Sequence, residues 1–140
     1  MSLFIKDVNE TNWREVRALC VSTNQKGFIE SNAQSLLEAA YDVSLRWRPL
    51  ALYHKNQLVG FSMIGAKNGS TMWLDRLMID TNFQGEGLGT LFIPLLIEFM
   101  KQEYAVERIY LSVHDENEKI IPYYQRFGFL DSKKYDPENG

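Results

Sequence analysis

Apolar and polar residues change period several times along this chain, and each change marks an element. Leu3-Phe4-Ile5-Lys6-Asp7-Val8 reads as a first strand. Thr11 or Asn12 can then cap a helix that sets Trp13, Val16, Leu19 and Cys20 on one face and ends between Asn24 and Gly27. Phe28-Ile29-Glu30-Ser31 is a short connection, and Ser31 or Asn32 can cap a second helix through Leu36, Leu37, Ala40 and Tyr41. Arg48-Pro49 breaks that period. Leu50 to Tyr53 and Leu58 to Ala66 follow as strands joined by a turn at Lys55-Asn56-Gln57. Lys67-Asn68-Gly69-Ser70 predicts a hairpin turn, Asn-Gly supplying the positive φ values, and leads into the strand Met72 to Ile79.

A glycine-rich turn separates that strand from an apolar helix running from Leu91 through Met100 to about Glu103. Pro94 falls in its first turns, where a missing N–H is tolerable. Arg108 to Val113 is the next strand, buried if the run Ile109-Tyr110-Leu111 is read at face value. Asp115 or Asn117 starts a last helix that Gly128 ends, and Phe129 to Tyr135 begins a final strand. The order β-α-α-β-β-β-α-β-α-β makes this an α/β protein, a mixed sheet with helices on both faces. With no repeats or linkers, residues 1–140 are expected to form a single domain large enough for a real core.

Composition narrows the class. A hydrophobic content of 45% with 13% aromatics fits a packed globule and not a disordered chain. No apolar run approaches a membrane span, and the N-terminus lacks a signal-peptide pattern, so a cytoplasmic protein is expected. The one cysteine, Cys20, rules out an internal disulfide and is read as core. A net charge of −3 disfavours nonspecific nucleic-acid binding. The charge is uneven: residues 1–70 carry 6 acids and 8 bases, residues 71–140 carry 12 acids and 7 bases. His54 and His114 have no metal-ligand spacing with other His, Cys or acidic residues, so no metal is expected.

The stretch with most chemistry is Asp80-Thr81-Asn82-Phe83-Gln84-Gly85-Glu86-Gly87-Leu88-Gly89-Thr90. Three glycines at alternate positions turn the backbone tightly and leave no Cβ between the amides and a ligand. The helix that follows brings unpaired N–H groups and a positive dipole end to the same place, which suits a phosphate or pyrophosphate. A Walker A loop would need Gly-Lys-Ser/Thr, and Gly89-Thr90 has no lysine. A dinucleotide fingerprint would space its glycines G-x-G-x-x-G, whereas residues 85, 87 and 89 give G-x-G-x-G.

Gln84-x-x-Gly87-x-Gly89 resembles the Q/R-x-x-G-x-G/A acetyl-coenzyme A loop of the GNAT acetyltransferases. About 30 residues on, Asn117, Tyr124 and Gly128-Phe129 are similar to that family's N…Y…GF segment. Phe28-Ile29-Glu30-Ser31 and Trp73-Leu74-Asp75-Arg76 look like the bacterial spermine/spermidine N-acetyltransferase branch. The resemblance covers nearly the whole chain. It implies a GNAT-like fold, a central, mostly antiparallel twisted sheet. The family pattern would add one more strand after Asp136-Pro137-Glu138-Asn139-Gly140, so the resemblance leads one to expect that last strand to be absent from residues 1–140.

It also implies a reaction: acetyl-coenzyme A donates its acetyl group to a primary amine of a polyamine by direct attack. Backbone amides of Gln84, Gly85, Glu86, Gly87, Leu88, Gly89 and Thr90 would take the pyrophosphate. Leu77, Met78 and Ile79 would pair with the pantetheine through their backbone, and Asn117 would hydrogen-bond it. Tyr124 would be the general acid, with Tyr123 left to packing or coenzyme contact. Asp75 and Glu30 are both candidates for the base or an ammonium anchor, and a salt bridge from Asp75 to Arg76 is the plainer role for Asp75. Trp73 could cover the substrate's methylenes or a charged amine. Expected partners are a small amine, with no nucleic acid and no membrane; a homodimer stays open. Another amine, a protein or peptide amine, or acyl-coenzyme A binding without catalysis are the alternatives.

Overall fold

The structure, a computed structural model, describes residues 3–19, 32–111 and 121–125. Cys20, Phe28, Ile29, Glu30, Ser31, His114, Asp115, Asn117, Gly128 and the strand expected after it lie outside the described residues.

Five strands form one sheet in chain order: β1 (Leu3–Asp7), β2 (Arg48–His54), β3 (Gln57–Asn68), β4 (Thr71–Ile79) and β5 (Arg108–Tyr110). The first four pair antiparallel because tight turns join β2 to β3 and β3 to β4. At the first of these turns Lys55 and Asn56 both take positive φ, 52° and 66°, the primed geometry that matches strand twist. The second turn departs from the expected Asn-Gly pair. Asn68 stays in the ladder opposite Thr71, and only Gly69 of that pair has positive φ (64°), together with Ala66 (50°) in the bulge before it.

β5 runs parallel to β4, so a crossover must join them, and α3 (Leu88–Tyr104) provides it. Its Leu88, Phe92, Ile93, Leu96 and Met100 are buried, an i, i+4, i+8 stripe laid on the sheet. Leu88, Phe92, Leu96 and Met100 share a core with Leu50, Leu52, Val59, Ile64, Met72 and Leu74. The opposite face carries α1 (Trp13–Ala18) and α2 (Asn32–Tyr41), with Val16, Leu36 and Ala39 packed on Ala51, Phe61, Met63 and Met78.

Both of those helices differ from the expected pattern. α1 stops at Ala18, because Leu19 is already extended (ψ 141°). Trp13 is exposed, its indole stacked with the Arg14 guanidinium at 4.4 Å, and Val16 alone of that helix is buried. Asn12 stands at the cap position, but its side chain bonds backward, accepting from Asn9 N–H at 2.8 Å and donating to the Asp7 carbonyl at 3.1 Å. In α2 the inner face is Asn32, Ser35, Leu36 and Ala39, while Leu37 and Tyr41 are exposed. The reason is polar: Asn32 Nδ2 donates to the Val16 carbonyl at 2.7 Å, which fixes the helix phase from its first residue. α4 (Ile121–Gln125) is the last described element. Among the described residues no helix is long and apolar enough to cross a membrane.

Candidate active site

β4 leaves the sheet at Ile79 into a turn that closes on itself. The Asp80 N–H donates to the Val59 carbonyl at 2.8 Å, and its buried carboxylate accepts from Asn82 N–H at 3.2 Å. Those bonds cap the 3-10 turn Thr81–Phe83. Gln84 then folds back and donates to the Ile79 carbonyl at 2.9 Å. Its side chain therefore ties the two ends of the turn together.

Gly85 and Gly87 follow with φ of 85° and 75°, left-handed conformations that L side chains disfavour. A Cβ at either would meet no atom of the described residues within 4 Å, so both face open space among them. Gly87 begins α3 without a side-chain cap, and its carbonyl accepts from Leu91 N–H at 3.2 Å. The first N–H groups of a 17-residue helix thus point to the open side, with its positive dipole end behind them. Leu88 is buried and anchors the turn, while Glu86 and Thr90 are exposed. The turn expected at the glycines is present, with Gly85 and Gly87 in left-handed conformation and α3 starting directly after them.

Beside it lies an edge of β4. Pairing with β5 covers only Thr71, Met72 and Trp73, so among the described residues Leu74 and Arg76 to Ile79 pair with β3 alone. Leu77 and Ile79 pack their side chains toward the α3 core and Met78 toward the other. Packing by side chains and recognition by backbone are compatible at these three residues.

The carboxylate expected at Asp75 sits at an irregularity. Consecutive residues Met63 and Ile64 of β3 face Arg76 and Leu74, so Asp75 is an extra residue in β4, a β-bulge. Before it Met72 and Leu74 point to the α3 core; after it Leu77 and Ile79 do. Arg76 and Met78 face α1 and α2. The bulge lets Asp75 and Arg76 share a face, where they form an ion pair, their side chains only 6% and 8% exposed. Arg76 Nη2 also donates to both carboxylate oxygens of Glu38 in α2, at 3.0 and 3.2 Å. The ion pair of Asp75 is the plainer role foreseen for it, and two carboxylates converge on one buried cation. Glu38 was not foreseen. Its signal was an arginine in a buried strand, which needs counter-charge, and Glu38 is the one charged residue of α2. Trp73, two residues before Asp75, is half-buried with its ring 5.4 Å from that of Tyr110.

α4 brings the tyrosines to the loop. Tyr123 Oη lies 3.2 Å from Thr90 Oγ1, and a Cβ built at Gly89 would be 3.2 Å from the same hydroxyl. Tyr124 packs edge-on against Tyr123, centroids 5.4 Å apart. Burial, then the neighbouring Tyr123 hydroxyl, push the Tyr124 phenol up to about 12. It is therefore protonated at neutral pH, the state a proton donor requires. Tyr123 thus links α4 to Thr90 at the end of the glycine loop, and Tyr124 lies beside Tyr123. Glu30 and Asn117 lie outside the described residues.

Comparison with known proteins agrees with this architecture. The Acetyltransferase (GNAT) family matches residues 8–129. A spermine/spermidine N(1)-acetyltransferase of Bacillus subtilis (strain 168) is 41% identical, over 92% of this chain and 88% of its own. A probable spermine N(1)-acetyltransferase of Bacillus subtilis subsp. natto (strain BEST195) matches to the same extent. The crystal structure of spermidine N-acetyltransferase from Vibrio cholerae in complex with CoA and spermine superposes with a TM-score of 0.74 at 18% identity, covering 94% of this chain and 82% of that one. An N-acetyltransferase from Thermoplasma acidophilum in complex with coenzyme A gives 0.70 at 18%, covering 98% and 94%. Glycine loop, mixed sheet and family match coincide, and the chain belongs to the GNAT family of acetyltransferases.

Proposed function

We propose that this acetyltransferase moves the acetyl group of acetyl-coenzyme A to a primary amine of a polyamine, spermine or spermidine. The observation that carries this reading is the likeness, along almost the whole chain, to Bacillus proteins named for that reaction. A single domain over residues 1–140 working in the cytoplasm belongs to the same reading.

In this reading the amides from Gln84 to Thr90 hold the pyrophosphate, the backbone of Leu77, Met78 and Ile79 pairs with the pantetheine arm, and Asn117 hydrogen-bonds it. A β4 amide stabilises the oxyanion as the amine attacks the thioester carbonyl. The C–N bond forms, the C–S bond breaks, and the departing thiolate takes the proton of Tyr124. The incoming ammonium must first lose a proton, at a cost of roughly 4–5 kcal/mol near pH 7. Asp75 or Glu30, directly or through water, accepts it. The other carboxylate anchors an ammonium that stays charged, and Trp73 covers the intervening methylenes.

A panel of acceptors with acetyl-coenzyme A tests the reading: spermine, spermidine, butylamine, an arylamine and lysine peptides. The expected result is a kcat/KM for spermidine at least about tenfold above butylamine, as one charge-assisted contact provides. Equal rates for the polyamines and butylamine overturn the substrate assignment.

A further inference from the structure

We infer that Tyr123 is a positioning residue that ties Tyr124 to the first turn of α3. The inference rests on the reading of Tyr124 as the general acid. Tyr124 lies in α4, described as Ile121–Gln125, and contacts of its neighbour with the rest of the fold can fix where it sits. Tyr123 makes one across 33 residues of sequence, its hydroxyl against Thr90 Oγ1 at 3.2 Å. The same hydroxyl fills the space above Gly89, where a Cβ would approach to 3.2 Å. Tyr123 in turn meets Tyr124 in a T-shaped contact, planes 69° apart.

These contacts form a chain from loop to acid. The coenzyme loop ends at Thr90, Thr90 holds the Tyr123 hydroxyl, and the Tyr123 ring abuts Tyr124. Gly89 then has a second requirement besides ligand approach: any side chain there pushes on Tyr123. The donor site and the proton donor are registered to each other through one phenol. A coenzyme-binding role for Tyr123 would act on affinity; a positioning role acts on turnover.

Steady-state kinetics on the full chain separate these, using acetyl-coenzyme A and the best acceptor of the panel above. Tyr123→Phe keeps the ring contact and removes the bond to Thr90, and Thr90→Val removes it from the other side. Each is expected to lower kcat roughly two- to tenfold, with the double variant no slower than the worse single one. Thr90→Ser, which keeps a hydroxyl, should restore kcat. Additive losses, or effects confined to KM for acetyl-coenzyme A, overturn the positioning role. Tyr124→Phe is the control. If it turns over like wild type, the acid assignment falls and this role falls with it. If it is slow while the Tyr123 and Thr90 losses add, this role alone is wrong.

Discussion

Arg76 Nη2 reaches both carboxylate oxygens of Glu38, at 3.0 and 3.2 Å, so a cation inside the sheet is neutralised from a helix 38 residues earlier in sequence. Asp75 meets the same guanidinium from the adjacent position. Removing the cation would leave two carboxylates side by side in a poorly hydrated place. Arg76→Met should therefore cost about 3 kcal/mol or more in urea unfolding. Glu38→Gln should cost about 1 kcal/mol, since Asp75 still faces the guanidinium. Equal midpoints for wild type and Arg76→Met would show that the cluster contributes nothing to stability.

Gly87 combines positive φ with an open approach, so a side chain there acts on backbone and ligand together. Gly87→Val should lose about 1–2 kcal/mol of stability from the left-handed conformation. Its affinity for coenzyme A by calorimetry should fall by more than about tenfold, because the Cβ stands between ligand and amides. Unchanged affinity in a folded variant would move the anion site elsewhere.

Tyr124→Phe keeps the packed ring and removes the transferable proton. Turnover should fall about a hundredfold or more, while coenzyme affinity stays within about twofold. Measured where chemistry limits the rate, equal turnover would make Tyr124 a packing residue.

The raised Tyr124 phenol also predicts an alkaline signature. Its ordinary value is 10.0 and in the fold it stands at about 12, so the unfolded chain releases this proton first as pH rises. Stability from the buried neutral phenol is complete below pH 10 and is lost between pH 10 and 12, on the order of 2–3 kcal/mol. Over that window the denaturation midpoint of wild type should fall relative to that of Tyr124→Phe, which has no phenol to ionise. Parallel curves would contradict it.

The two carboxylates should separate kinetically. Glu30→Gln should raise KM for spermidine if Glu30 anchors, and Asp75→Asn should chiefly depress kcat if Asp75 is the base. Added salt should weaken spermidine more than acetyl-coenzyme A, since charge pairs are screened and backbone amides much less so. A reversed salt order would place the anchoring elsewhere.

What could be read in the sequence, and what could not, follows from where the information lies. The glycine loop was legible because its requirement is local: positive φ at Gly85 and Gly87 and a helix start beyond them. α3 was legible because its apolar period is unbroken across a long stretch, and β4 because it is a run rich in apolar residues between turn signals. The inner face of α2 was not, because Asn32 and Ser35 occupy it and a hydrogen-bonded polar residue looks like surface in a pattern. Trp13 misled for the converse reason, a large ring left outside against Arg14. Glu38 carries no motif, and its partner is fixed only by the way α2 lies across the sheet. Asp75 was named as a site residue, but nothing in its residue type announces a bulge.

That bulge has a consequence for how this strand can be altered. Take Asp75 out, and Leu74 and Arg76 become neighbours facing Ile64 and Met63 in a regular ladder. Met72, Leu74, Leu77 and Met78 would each keep the side they already occupy. The carboxylate is thus a separable insert: the barrier to gaining or losing it is one codon and not a new core. A single-residue deletion at 75 should give a folded protein with the same interior and no acid at that position, something a point substitution, which leaves the kink behind, cannot deliver.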